Sequence, residues 1–557
     1  MRPPCSPRAR VTRWCVAVSV VVLACAGVQV GHNAGLADSS TPRPFDMPNA
    51  VTAHATTKKV FAHYFTPFVI SLDNKPAATD YYAEGYLDPA GENGAHRSSG
   101  GFLRERPLPR PVSTSTTWEF DDMKTDVLRA SAAGIDGFTV DMLSLSGYNW
   151  DRVKMLMSAA HAADPDFTIM LMPDATTTVV DDPHALAVAV AGLAAQPAAY
   201  HLADGRLVVS PFFAEGRSAT WWQSWMATMR TEFGINVAFV PTFLDYANAA
   251  SFSSISYGYS MWGERSPNSI GGSVGDAQSA HANGKIWMQP IALQDIRPTA
   301  GIYTEANNTE TLRGFWNIAI GQGAEWVQLV TWNDYSEGTE FSPSSHIGWS
   351  PLDLVAYYAT AFKTGALPPI VRDVIYLSHR IQPAAALPTG PQTVLMQLRP
   401  GSSPARDTVE VLSFLTAPAT VVVRVGTASY SVAATAGVSV TSVPLGLGTV
   451  SAAITYSNGA RLSVTSPFPV VARPVVQDLQ YFFVSSARDG ELSGVPPSPP
   501  VTTVPPTTDP VATAPVATVP PVTVPAVTIP VPSAGVSASG DVAVATPPVP
   551  VWARPVG

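Results

Sequence analysis

Between residues 60 and 363 the chain repeats one pattern eight times: a short, continuous apolar run followed by a helix-like stretch. The runs cover residues 60–70, 135–142, 167–174, 207–213, 237–243, 255–261, 285–291 and 326–332. They do not alternate apolar with polar, so they suit strands covered on both faces, as in a parallel sheet. Amphipathic stretches separate them at 121–133, 151–163, 182–195, 220–233, 309–320 and 352–363, with weaker ones after Tyr246 and Ile270. The first of these stops at Gly134, a good helix terminator. Eight strands with intervening helices over about 300 residues predict a (β/α)₈ barrel at 60–367, an α/β fold of the TIM type. An open doubly wound sheet is the alternative. No Gly-rich phosphate loop follows any run, which argues against its nucleotide-binding form.

The pattern changes after Pro368. Runs at 409–415, 420–425, 430–433, 453–456 and 461–464 are short and β-like, and Asn458-Gly459 between the last two signals a two-residue hairpin. Residues 368–488 are predicted to form a small β-sandwich domain.

Composition matters at the two ends. All three cysteines, Cys5, Cys15 and Cys25, lie in the first 25 residues. Arg2, Arg8, Arg10 and Arg13 precede an apolar stretch at 15–26, the arrangement of a secretory signal, so 1–37 reads as signal and leader and 38–59 as linker. A membrane anchor and a lipoprotein with Cys25 lipidated are the alternatives. Export without cysteines in the remaining chain excludes a small disulfide scaffold. Proline, 52 residues in all, concentrates in the tail. From 496 to 557 only Asp509, Asp541 and Arg554 are charged. Residues 489–557 therefore read as an extended, disordered Pro/Thr/Val-rich tail, a possible spacer at a cell wall. Net charge is −9, which argues against nucleic acid as a partner.

In a barrel, polar residues at the C-terminal strand ends face the active site. Here they are His63, Asp141, Asp174, Glu215, Asp245, Glu264, Gln289 and Asp334. The last run continues Thr331-Trp332-Asn333-Asp334-Tyr335-Ser336-Glu337, and a turn can aim Asp334 and Glu337 into one cavity. Two carboxyls facing one cleft suit glycosidic cleavage: a protonated one donates to the leaving oxygen, and an ionised one activates water or attacks the sugar. The other reading is that both cap the loop. Trp262, Trp287, Trp332 and Tyr335 are candidate flat faces for sugar rings. The long insert 71–117 sits where barrels carry substrate loops, with Asp73, Asn74, Asp80 and Tyr82 as candidate contacts. His63, His96 and His346 are isolated, so neither a metal site nor another cofactor is expected.

The 331–337 segment resembles the last-strand motif of glycoside hydrolase family 71, the α-1,3-glucanases or mutanases, which typically reads TWNDYGES. Phe61-Ala62-His63-Tyr64-Phe65, Gly134-Ile135-Asp136-Gly137-Phe138, Pro173-Asp174 and Val209-Ser210-Pro211-Phe212 agree with its earlier strands. The resemblance implies a barrel followed by a β-domain, and a polysaccharide partner, α-1,3-glucan, cleaved with inversion. It implies that Asp334 and Glu337 are the catalytic pair, with Glu337 favoured as acid and Asp334 as base. By their strand-end placement or residue type, His63, Asp141, Asp174, Glu215, Trp262, Glu264, Gln289, Trp332, Asn333 and Tyr335 stand as candidate sugar contacts. Inversion implies carboxyls roughly 6.5–9.5 Å apart. The following Gly338-Thr339-Glu340 is closer to the related family 99, the endo-α-mannosidases and endo-α-mannanases, which makes α-mannan the alternative substrate. A non-catalytic glycan-binding wall protein is a further alternative.

Overall fold

The computed structural model describes residues 43–48 and 56–488. The expected signal, Cys25 and the Pro-rich tail lie outside them.

Eight parallel strands form the barrel: β1 (Lys59–Tyr64), β2 (Gly137–Met142), β3 (Thr168–Pro173), β4 (Leu207–Val209), β5 (Val237–Phe239 with Thr242–Phe243), β6 (Gly258–Met261), β7 (Ile286–Ile291) and β8 (Trp326–Leu329). β1 lies between β2 and β8, and each other strand pairs with its sequence neighbours. β5 closes the ring in two halves. Val237–Phe239 pairs with β4, and Thr242–Phe243 pairs with β6. The break contains Pro241, which lacks the N–H a ladder needs.

Seven longer helices surround the strands: α1 (Trp118–Ala132), α2 (Gly147–Ala163), α3 (Pro183–Ala194), α4 (Ala219–Phe233), α5 (Ile270–Ala282), α6 (Glu310–Gly321) and α7 (Ser350–Thr364). The weak signal after Tyr246 is a 3₁₀ segment, Tyr246–Phe252, whereas the weak signal after Ile270 is the full helix α5. Local chemistry sets several ends. Asp182 accepts from the amides of His184 and Ala185 to start α3, and Gly234 takes a left-handed conformation to stop α4.

Successive strand residues face opposite ways. Phe61, Met170, Val208, Ala238, Val240, Met288 and Trp326 fill the barrel interior. Ala62, Phe138, Ile169, Leu171, Trp287, Val327 and Leu329 pack outward into the larger core beneath the helices. Burial of each large apolar side chain in either layer contributes about 1.5–3 kcal/mol.

The β-region is a sandwich of two four-stranded antiparallel sheets. One orders Gly437–Pro444, Thr408–Leu415, Val374–His379 and Phe482–Ser485; the other orders Ala428–Ala434, Ala419–Val425, Val450–Thr455 and Arg461–Thr465. Three of these strands, Val374–His379, Gly437–Pro444 and Phe482–Ser485, carried no expectation from sequence. The hairpin at Asn458-Gly459 forms with a longer loop than expected. Tyr456 N donates to Ala460 O, and Gly459 closes the turn onto Tyr456 O at φ +86°. That is a three-residue loop with glycine in the left-handed position.

The sandwich is not an appendage. Its Tyr376, Leu412, Phe414, Tyr481 and Phe483 belong to the same apolar core as the barrel helices. Phe414 meets Tyr357 of α7 edge to face at 5.0 Å. Asp353 of α7 accepts from Arg43 and Arg488, and Arg380 of the sandwich pairs with the fully buried Glu305 of the barrel at 2.8 Å.

Candidate active site

The loop after β8 is tied at its base. Thr331 N donates to Thr339 O, and Phe341 N to Thr331 O. Within it, Asp334 Oδ1 accepts from Ser336 N (3.0 Å), Ser336 Oγ (2.6 Å) and Glu337 N (3.3 Å). This local turn is the reason a short polar residue at 334 and a serine at 336 fold together. Gly338 takes φ +56°, and a Cβ there would lie 2.9 Å from Gln480.

A short hairpin beyond β7, Asp295–Arg297 with Ile302–Thr304, braces this loop. Ile296 N donates to Glu337 O at 2.6 Å. Arg297 grips Asp295 through Nε (2.7 Å) and Nη2 (3.0 Å), and its Nη1 lies 2.6 Å from Glu337 Oε1. Among the described residues, Glu337 Oε2 has no hydrogen-bond partner. Arg265, buried in the loop after β6, adds positive charge nearby and has its pKa lowered by burial to about 10.

The two carboxyls sit in different environments. Burial lifts Asp334 to about 6, against the pull of Ser336 and Arg297. Burial lifts Glu337 to about 7; Arg297 opposes the shift, and Asp334 and Asp295 add to it. Burial by itself would lower Arg297, but Asp295 and Glu337 outweigh it and keep the guanidinium charged.

Across the mouth, His63 at the end of β1 contacts Met172 Sδ through Nδ1 at 3.1 Å, and its Nε2 lies 3.6 Å from Asp141 Oδ2. Burial pushes His63 down to about 3, so the imidazole is neutral at pH 7. Burial pushes Asp141 well above the carboxylate range and Asp174 up to about 7, where Asp141 reinforces the effect. Asp174 Oδ1 accepts from Thr176. Trp262 stands edge-on to His63 at 4.8 Å and to Phe212 at 4.7 Å, only partly buried. The electrostatic reach of Glu337 and Asp174 to His63 ties both sides into one cluster.

Several other expected contacts are placed elsewhere. Gln289 points outward with Trp287, accepting from its indole and donating to Ser273 of α5, because it has the parity of the outer layer. Trp332 is fully buried in the outer core, 5.2 Å from Phe138, and Trp287 is likewise buried there, so neither presents a face to sugar. Tyr335 and Tyr82 are buried with Phe65, Phe68 and Leu103; the Tyr82 hydroxyl donates to Val69 O. Asn333 is structural: it accepts from Phe65 N and donates to Phe65 O and Phe68 O. In the long loop, Asp80 pairs bidentately with buried Arg106, Asn74 binds Arg110 and Ser113, and Asp73 pairs with Lys75. Glu215 accepts from the amides of Leu244 and Asp245, joining two loops. Asp245 caps the following 3₁₀ segment. Glu264 is exposed, on the side of Asp276 of α5.

Sequence reasoning missed Asp295 and Arg297. They lie just past β7, so the strand-end rule carried one turn further reaches both. Among the described residues, no three His, Cys, Asp or Glu side chains are grouped to hold a metal.

A barrel whose mouth gathers carboxyls in unlike environments, built onto an antiparallel sandwich, has the form of a glycoside hydrolase. The chain belongs to glycosyl hydrolase family 71, whose model matches residues 111–477, and it is a glycoside hydrolase. A mutanase of Penicillium rubens is 24% identical over 360 residues, covering 59% of this chain and 77% of the relative. The ascus wall endo-1,3-alpha-glucanase of Schizosaccharomyces pombe is 24% identical over 249 residues, covering 42% and 56%. Among solved structures, a family 99 endo-alpha-mannosidase from Bacteroides thetaiotaomicron aligns at 13% identity and TM-score 0.41, covering 55% of this chain and 98% of that one.

Proposed function

We propose that this chain hydrolyses α-1,3-glucan with inversion, using Glu337 as general acid and Asp334 as general base toward water. One observation carries this reading. The two carboxyls share one short loop at the barrel mouth, yet Asp334 is held by three donors while Glu337 keeps one oxygen without a protein partner. Donors to a carboxylate favour its ionised form, as a base requires. A free oxygen and a raised pKa favour a carboxyl that still carries its proton, as an acid requires. Neutral His63 supplies an uncharged hydrogen-bonding group for sugar hydroxyls beside Asp141, whose pKa burial raises, and Trp262 supplies an apolar edge. The family and relatives named as a mutanase and an endo-1,3-alpha-glucanase support this substrate. The basic, then apolar, N-terminal segment supports export, and the Pro-rich tail supports a spacer role at a wall.

The test is incubation of the purified protein with insoluble α-1,3-glucan, following the first product by proton NMR. Inversion releases β-anomeric reducing ends before mutarotation. Early α-anomer would overturn inversion, and release from yeast α-mannan but not from glucan would overturn the substrate. Mass spectrometry of the mature N-terminus checks export.

A further inference from the structure

Among the described residues, Arg297 is the cation that touches Glu337 directly. Its planar fork works on both sides: one edge holds both oxygens of Asp295, and Nη1 holds Glu337 Oε1. Asp295 is buried, and Arg399 also approaches it, at 3.5 Å. The same hairpin pins the Glu337 backbone through Ile296 N. A lysine cannot reproduce a two-sided grip, because its ammonium is a point charge on a flexible stem. Each Glu337 oxygen therefore has a distinct surrounding: Oε1 is occupied, and Oε2 is left for the proton.

We infer that Arg297, itself held by Asp295, is a positioning residue that fixes the Glu337 carboxyl and selects Oε2 as the oxygen that delivers the proton. This rests on the assignment of Glu337 as acid. In the step, the Oε2–H bond breaks and its proton bonds to the glycosidic oxygen as that oxygen's bond to the anomeric carbon breaks, while the water oxygen bonds to the opposite face of the same carbon and gives a proton to Asp334. Arg297 exchanges no proton.

The charged and titratable groups around Glu337 are Arg297 and Asp295 on the hairpin, Arg265 after β6, Asp334 in the same loop, and His63 across the mouth. Arg297 holds the Glu337 pKa down and Asp295 holds it up. The variants Arg297→Gln and Asp295→Asn should then move the alkaline limb of the kcat–pH profile in opposite directions, upward for the first and downward for the second. On a soluble α-1,3-gluco-oligosaccharide, Arg297→Gln should lower kcat about 10²-fold, the scale of a misplaced catalytic group, with KM nearly unchanged. Arg297→Lys should keep the limb near its original position while kcat still falls, and it remains informative if the Gln variant fails to fold. An unmoved limb in both neutral variants, a limb moving the same way in both, or a rise in KM with unchanged kcat would overturn the inference. A Glu337→Gln variant that retains activity would instead sink the acid assignment itself.

Discussion

At the residue scale, the chemistry turns on how one loop treats two carboxyls. On the proposed mechanism, activity needs Asp334 ionised and Glu337 protonated. Asp334 titrates near 6, so activity falls below that pH as the base is protonated; Glu337 titrates near 7, so it falls above that pH as the acid is lost. The pair is close enough that the two limbs belong to it jointly. The expected kcat/KM profile is a narrow bell centred between the two values, measured on oligosaccharide. A flat profile from about pH 5 to about pH 8 would contradict the assignment. Asp334→Asn and Glu337→Gln should each cost about 10²–10⁴-fold in kcat while the thermal transition stays intact. Asn333, beside them, serves the fold instead. Asn333→Ala removes the side chain that accepts from the Phe65 amide and donates to the carbonyls of Phe65 and Phe68. A loss of about 2–4 kcal/mol in denaturant unfolding is expected, from several unmade bonds at about 1 kcal/mol or more each.

At the element scale, the loop after β8 is held from two sides. The hairpin beyond β7 braces Glu337, and a buried acid pair lies behind it. Glu340 is fully buried with neither oxygen hydrogen-bonded to a donor, and Glu105 of the long first loop lies against it. Glu105 in turn accepts from Ser344 and from Gln480 of the sandwich. Burial first, and then Glu105, hold the Glu340 pKa well above its ordinary value. For an acid raised on folding, the contribution to stability is most favourable below the unfolded-state pKa and declines as pH rises. Glu340→Gln should therefore raise Tm by a few degrees at pH 7–8 and change it little near pH 4. The same gain at both pH values would show that the charge is not the cause.

At the scale of the whole molecule, barrel and sandwich share one packed core and are expected to unfold together. Tyr376, Phe414, Tyr481 and Phe483 sit in the barrel's outer core, and Arg380–Glu305 and Arg488–Asp353 are ion pairs buried at the junction. Removing one partner of a buried pair leaves a charge stranded, which costs about 3–5 kcal/mol. A chain cut at residue 367 is expected to be insoluble or to lose its cooperative melt. Residues 43–488 should show a single calorimetric transition; two resolved transitions would argue for independent domains.

The sequence by itself favoured the barrel, because eight strands buried on both faces leave eight continuous apolar runs alternating with helices, a repeat that an open doubly wound sheet shares in kind but seldom in number. It also singled out Asp334 and Glu337 as the proposed acid pair, because they lie three residues apart where the last strand opens into a loop and match the family motif there. Continuity of those same runs hid their parity. Gln289 and Trp332 looked like mouth residues but face the outer core, since an unbroken apolar run does not say which side chains point inward. Tyr82, Tyr335 and Asp80 carry the residue types of a sugar site, yet they anchor a long loop whose path depends on packing against β8. Only the tertiary structure placed Asp295 and Arg297 against Glu337, because the hairpin carrying them is set by its contact with the β8 loop, about forty residues further along the chain. Only the tertiary structure joined sandwich to barrel, because a shared core is made of contacts between distant segments, and local patterns in the chain do not record them.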